Sequence, residues 1–368
     1  MAGGRFVTMD GVRGVAALSV LTLHLTIGPS GVRFPMANFA VDVFFCLSGF
    51  VLASAFEARL AAGMSALSFA RLRWIRLYPM YFVGLTIGIV NALVALRLGA
   101  PAVTADRFAL EALLGLALAP SFSQFQFGFH YVYANVVFPF NFVCWSLLCE
   151  LVVNVMFARW RPKGRALAIL LGVSLLGFIA TTLIDGKPCG FLASSLAGGV
   201  VRAVLLFYAG LALYRAWAAG RLPNIRFAWG APAAVAAICL LSPDSPWLFV
   251  AVAAIGAPLI VVLSLEDPRS PGLRKLYSWL GKISFPLYAV HEPAYALFRI
   301  GYDRLVGAAP LAAPPLIVNV LFTFVLLGLC TALADRVDGP ARKMLTRFAD
   351  RVAGVSRSGA ALVSAPAP

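Results

Sequence analysis

Ten stretches of this 368-residue chain stay mostly apolar for about 20 residues, the length an α-helix needs to cross the hydrocarbon core of a bilayer. They fall near residues 7–28, 38–57, 74–96, 141–158, 166–185, 198–217, 227–242, 246–265, 277–298 and 313–334. Lipid offers a backbone amide no partner, so a spanning segment must satisfy its own hydrogen bonds as a helix or close into a barrel, and barrel strands are only about 9–11 residues long. The expected fold class is therefore all-α: a polytopic membrane protein of about ten transmembrane helices. Composition agrees, because 12% of residues are charged where a soluble domain carries about 25%. The net charge of +15 could suit nucleic acid, but the basic residues sit in short clusters between apolar runs, where membrane topology puts them. Nucleic-acid binding is excluded on that ground.

Orientation follows from the same clusters. With the N-terminus in the cytoplasm, 23 of the 30 Lys and Arg fall at the inner side, which requires an even number of spans and puts both ends inside. Residues 108–119 are apolar but too short to cross, and are expected to lie at the interface beneath an aromatic outer segment within 98–140. The first run exceeds a signal-peptide core and lacks a small-residue cleavage site, so it is expected to be a retained helix. Residues 1–350 form one membrane domain, and 351–368 read as a disordered cytoplasmic tail. Six cysteines show no metal-ligand spacing and suit small buried hydrophobes; no metal is expected.

The polar residues inside the runs carry the functional signal, because a charge at the bilayer centre costs at least about 2.5–3.5 kcal/mol on insertion scales. The first run, DGVRGVAALSVLTLH, holds Arg13 and His24. Eleven residues at 1.5 Å and about 100° each place the two about 16 Å apart on nearly one helix face. The second run holds Asp42 and Ser48, the third opens with Arg71, Arg73 and Arg76, the fourth holds Glu150 and Asn154, and the ninth ends with His291 and Glu292. Given the orientation, these groups form a ladder across the membrane. It begins at an inner mouth of arginines, passes Arg13 and Glu150, and ends at Asp42, His24 and His291. Arginines at a span end also snorkel to headgroups, Glu150 also suits a structural pairing with Arg13, and Trp145 and Tyr288 also suit packing. His130, in the outer aromatic segment, is given no catalytic part.

Five segments in order, DGVRGVAALSVLTLH, VDVFFCLSGF, RLRWIRLYPMY, WSLLCEL and LGKISFPLYAVHEP, resemble the signatures of the membrane-bound acyltransferase family three. The resemblance covers about residues 5–335. Arg13 and His24 match the family's arginine and histidine of the first span, Arg73 and Arg76 its paired arginines, and Trp145, Ser146 and Glu150 its W-S-L-x-x-E. The chain departs after Glu150, where LVVNVMF replaces a second acidic residue and an aromatic tail. It also lacks the extracytoplasmic hydrolase-like domain of some relatives, and so resembles the stand-alone members.

The resemblance implies transfer of an acyl group, by default acetyl, from cytoplasmic acetyl-CoA to a hydroxyl of a carbohydrate or glycolipid acceptor. Its setting would be the inner membrane of a bacterium, among membrane lipids and in the company of polysaccharide-assembly partners; oligomeric state stays open. Arg71, Arg73 and Arg76 would hold the CoA phosphates. His24 would be the general base, Asp42 its orienting carboxylate, and Arg13 either a stabiliser of the thioester oxygen or a partner of Glu150. Trp145, Ser146, Tyr288 and His291 are the candidate contacts to the acceptor. A proton-coupled transporter using a His/Asp/Glu relay is the competing reading. It accounts less well for arginines gathered on one side and for the absence of an inverted repeat.

Overall fold

The computed structural model describes residues 6–25, 36–99, 104–122, 135–186, 190–223, 225, 230–243, 245–307 and 314–352. Thirteen α-helices follow one another along these residues. They are α1 (Val7–Leu25), α2 (Phe39–Ala61), α3 (Ala66–Arg97), α4 (Ala105–Leu116), α5 (Trp145–Arg159), α6 (Gly164–Asp185), α7 (Leu196–Ala218), α8 (Gly230–Leu241), α9 (Pro246–Ala251), α10 (Ala257–Leu263), α11 (Pro271–Val306), α12 (Leu316–Leu333) and α13 (Gly339–Val352). A π-helical turn joins α9 to α10 and another joins α12 to α13. Among the described residues there is no strand, only one isolated antiparallel bridge between Val136 and Leu192.

Each of the ten apolar runs overlaps helical structure, yet among the described residues only seven helical stretches are long and apolar enough to cross a membrane by themselves. The other three are α1, which carries Asp10, Arg13 and His24, the 12-residue α8, and the polar α11. The short apolar helix expected at 108–119 is α4, whose last carbonyls are taken up by α3: the Tyr78 and Tyr81 hydroxyls donate to the Leu116 and Gly115 oxygens at 3.0 and 2.5 Å. α13 was not anticipated, and it carries the helix through residues 351 and 352 of the expected tail. His130, Cys189 and the tail from 353 lie outside the described residues. The other five cysteines are buried and free, as their apolar surroundings suggested.

Two close helix pairs organise the bundle. α1 lies along α11 and α2 along α7, and in both the approach depends on glycine. A Cβ at Gly14 would collide with Leu280 of α11, and one at Gly49 would run into the Phe207 carbonyl of α7. Small residues let backbones approach in this way where lipid supplies no hydrophobic drive for association.

α11 begins on an N-cap, where the Ser270 hydroxyl accepts from the Leu273 amide behind Pro271, and stops at Gly307 in the left-handed region, φ 63°. Its 36 residues include Pro286 and Pro293. Proline lacks an amide hydrogen, so Pro293 leaves the Ala289 carbonyl without its helical donor. The Asn141 side chain supplies one instead, its Nδ2 donating to Ala289 O at 2.8 Å. The helix runs unbroken through both prolines, so Lys282 and Ser284 before Pro286 and Tyr288 and His291 after it share one frame.

Candidate active site

An open-mouthed cavity enters the bundle between α1, α2, α3, α5 and α11. Arg13, Arg73 and Arg76 give it three cationic side chains, Glu150 one carboxylate, and Ser48, Ser146, Ser284 and Tyr288 hydroxyls; apolar side chains, most of them from α2, complete the wall. One carboxylate against three guanidinium groups leaves the lining with an excess of positive charge.

The arginines divide by helical angle. Arg76 lies three residues beyond Arg73, about 60° away in projection, and both line the cavity. Arg71 stands two residues before Arg73, about 200° round the same helix, and leaves the cavity. It instead reaches α13, pairing with Asp350 at 3.7 Å and donating to the Ala349 carbonyl at 3.4 Å. The expectation that all three arginines face one ligand is thus corrected to two on α3, with Arg13 of α1 as the third cation.

Glu150 does not pair with Arg13. Its Oε1 accepts from Arg73 Nη2 at 2.6 Å and from the Ser48 hydroxyl at 3.1 Å, tying α5 to α3 and α2. Arg13 has no carboxylate partner among the described residues and presents its charge to the cavity. Arg76 faces Asp338, in the π-helical turn before α13, at 3.6 Å, and Asp338 also pairs with Arg342.

Asp42 is placed differently from the expectation. It is fully buried, and its Oδ1 accepts from Arg202 Nε at 3.1 Å and Nη2 at 2.7 Å. The Arg202 guanidinium lies over the Phe249, Trp145 and Phe178 rings at 4.8, 5.8 and 5.8 Å. Asp42 is therefore the counter-ion of a buried arginine and not the carboxylate that orients His24. Trp145, expected to touch the acceptor, is instead a wall of this arginine box and lies outside the cavity lining. The sequence did contain a signal for Arg202, since an arginine inside LAGGVVRAVLLF needs a buried counter-charge.

The remaining candidates converge. Ser146 Oγ and Tyr288 Oη share a hydrogen bond of 2.6 Å at the cavity wall, and Tyr288 donates to the Val143 carbonyl at 3.2 Å. The Tyr288 ring lies 5.9 Å from that of His291, which in turn lies 4.9 Å from that of His24. His24 Nδ1 and His291 Nε2 are 3.0 Å apart. His24 is half-buried, whereas His291 is fully buried. The sequence-predicted residues thus form two linked groups: a cationic cavity at one end of α1, and a histidine pair at the other, with Ser146 and Tyr288 between. No group of three metal-ligating side chains occurs among the described residues.

Comparison with known proteins bears on what this arrangement does. A family described as "Acyltransferase domain" matches residues 6–335. "Acyltransferase MdmB" of Streptomyces mycarofaciens is 24% identical over 346 residues, covering 82% of this chain and 81% of that protein. "Protein 2 in picA locus" of Rhizobium radiobacter is 35% identical over 178 residues, 46% of this chain and 91% of that protein. No solved structure matches.

Proposed function

The chain belongs to the membrane-bound acyltransferase family three, and from that premise we propose that it carries an acyl group, by default acetyl, from acetyl-CoA on the cytoplasmic side to a carbohydrate or glycolipid hydroxyl on the other. It is an acyltransferase and an integral membrane protein, which decides against the transporter reading. In this proposal α1, α8 and α11 complete ten crossings, the protein sits in a bacterial inner membrane, and both ends face the cytoplasm.

The observation that carries the reading is the division of α1 between two environments. Arg13 opens on the cavity with Arg73 and Arg76, while His24 meets His291 eleven residues on. The three guanidinium groups suit the phosphates of CoA, since they offer planar, permanently charged donors. Glu150, itself bonded by the Ser48 hydroxyl, holds Arg73 in place at the cavity wall. The thioester arm then runs along Ser146 and Tyr288 toward the histidines. There, His24 accepts the proton of an acceptor hydroxyl as its oxygen attacks the thioester carbon. The new C–O bond replaces the C–S bond, and the proton passes to the departing thiolate, giving CoA. Positioned general base catalysis of this kind contributes about 10²–10⁴-fold.

Purified protein in nanodiscs with radiolabelled acetyl-CoA tests the reading. His24→Ala should bind CoA normally and consume no acetyl-CoA, whereas Arg73→Ala should weaken CoA binding. Wild-type protein that neither binds nor consumes acetyl-CoA would overturn the donor assignment.

A further inference from the structure

The hydrogen-bond partners of His291 bear on where both histidines carry their protons. His291 Nδ1 points back along its own helix at two carbonyl oxygens, Tyr288 O at 2.9 Å and Leu287 O at 3.1 Å. A carbonyl oxygen only accepts, so a lone pair on Nδ1 would be held against two other lone pairs; the neutral ring must carry its hydrogen there. Its Nε2 is then bare and can only accept. The group facing Nε2 at 3.0 Å is His24 Nδ1, which must therefore be the donor. His24 Nδ1 also lies 2.9 Å from the Val20 carbonyl, a second acceptor that favours the same hydrogen. With Nδ1 protonated, the neutral His24 ring has its lone pair on Nε2.

We propose that His291 is a positioning residue: through the Nδ1–H of His24 it sets the tautomer in which His24 Nε2 is the free base. The inference rests on the reading of His24 as base, and it moves His291 from acceptor contact to partner of the catalytic ring. It assigns to a neutral imidazole the part that a carboxylate plays in a Ser-His-Asp triad. Asp42 cannot take that part, because Arg202 holds it. When His24 Nε2 takes a proton, its Nδ1–H remains bonded to His291 Nε2, so the imidazolium keeps an acceptor already in place. The Leu287 and Tyr288 carbonyls stand behind His291 in the same line. The device needs no buried carboxylate beside His24. It works because α1 and α11 hold the rings in register and because both histidines lean on carbonyls of their own helices.

The chain has only three histidines, so uniform ¹⁵N-histidine labelling resolves them, with His130→Gln removing the third signal. In nanodiscs above the histidine titration range, both remaining rings should show a protonated Nδ1 and a bare Nε2. His291→Gln presents a side-chain carbonyl that can still accept from His24 Nδ1, so His24 should keep its tautomer. His291→Leu should release it. In acetyl-CoA consumption, His291→Leu should lower kcat by about 10–100-fold, within the range of general base catalysis, at unchanged KM for acetyl-CoA. His291→Gln should recover at least part of that loss. A His24 ring with bare Nδ1 in wild type overturns the inference, as does a His24 tautomer that His291→Leu leaves unchanged. His24→Ala with full activity would overturn the base reading instead, and the tautomer measurement separates that failure from this one.

Discussion

Arg73 and Glu150, 77 residues apart, are joined across α3 and α5 by a 2.6 Å hydrogen bond at the wall of the cationic cavity. Their side chains are 14% and 19% exposed, so neither charge is fully solvated when the other is removed. Arg73→Ala and Glu150→Ala should each lower the Tm in nanodiscs. The double variant should cost less than the sum of the two, with a coupling of about 1–3 kcal/mol, the upper range for residues in direct contact. Additive losses would show that the pair is a contact without mutual stabilisation.

Asp42 and Arg202 should behave as structure and not as chemistry. Both are essentially inaccessible to solvent, and removing one member of such a pair leaves a buried charge at a cost of about 3–5 kcal/mol. Asp42→Asn should lower the Tm sharply while the protein that remains folded keeps its kcat. Arg202→Met together with Asp42→Leu should be milder than either charge deletion, because it removes both charges. A folded Asp42→Asn variant with kcat reduced a hundredfold would restore the carboxylate to the catalytic machinery.

Gly49 and Gly210 set how closely α2 and α7 approach, each facing a backbone carbonyl of the other helix. Backbone cannot move aside as a flexible side chain can. Gly49→Ala and Gly210→Ala should each destabilise by about 1–3 kcal/mol or more, as overpacked cores do, and lower the yield of folded protein. Gly301→Ala, at a position with open space around it, is the control and should leave the Tm unchanged.

Asp338 occupies one of the arginines that the proposed donor needs. It faces Arg76 at 3.6 Å and is held by Arg342 Nε at 2.7 Å. Asp338→Asn removes a competing negative charge and should tighten CoA by at least about threefold, the scale of an exposed ion pair, since the Asp338 carboxylate is itself buried. Calorimetric titration with CoA reads this directly. A weaker affinity would mean that Asp338 holds Arg76 in its binding position.

The sequence disclosed spacing along a helix better than neighbours. Arg13 and His24 are separated along a helix by arithmetic alone, and the structure puts them at the cavity and at the histidine pair. Which side chain meets which depends on how helices distant in sequence rotate against one another, and no local pattern encodes that rotation. So Asp42, which the resemblance pairs with His24, belongs to Arg202, and Glu150, which suits Arg13 by charge, belongs to Arg73. Helical angle alone sets Arg71 apart from Arg73 and Arg76, a distinction that their closeness in sequence hides. α13 does not show in the sequence as an apolar run, because its amphipathic GPARKMLTRFADRV is too polar.

The seam between α1 and α11 has a consequence for how this protein can be recombined. Gly11 and Gly14 seat Tyr277 and Leu280, and Gly281 seats Asp10, two to four turns from the rings that these contacts bring together. Two segments at opposite ends of the gene are therefore one mechanical part. A chimera that takes its first helix from a relative and its eleventh from this chain would join helices cut to different registers. The histidines would miss each other although both were present. Exchanged as a pair, the two helices would carry their alignment into a new host.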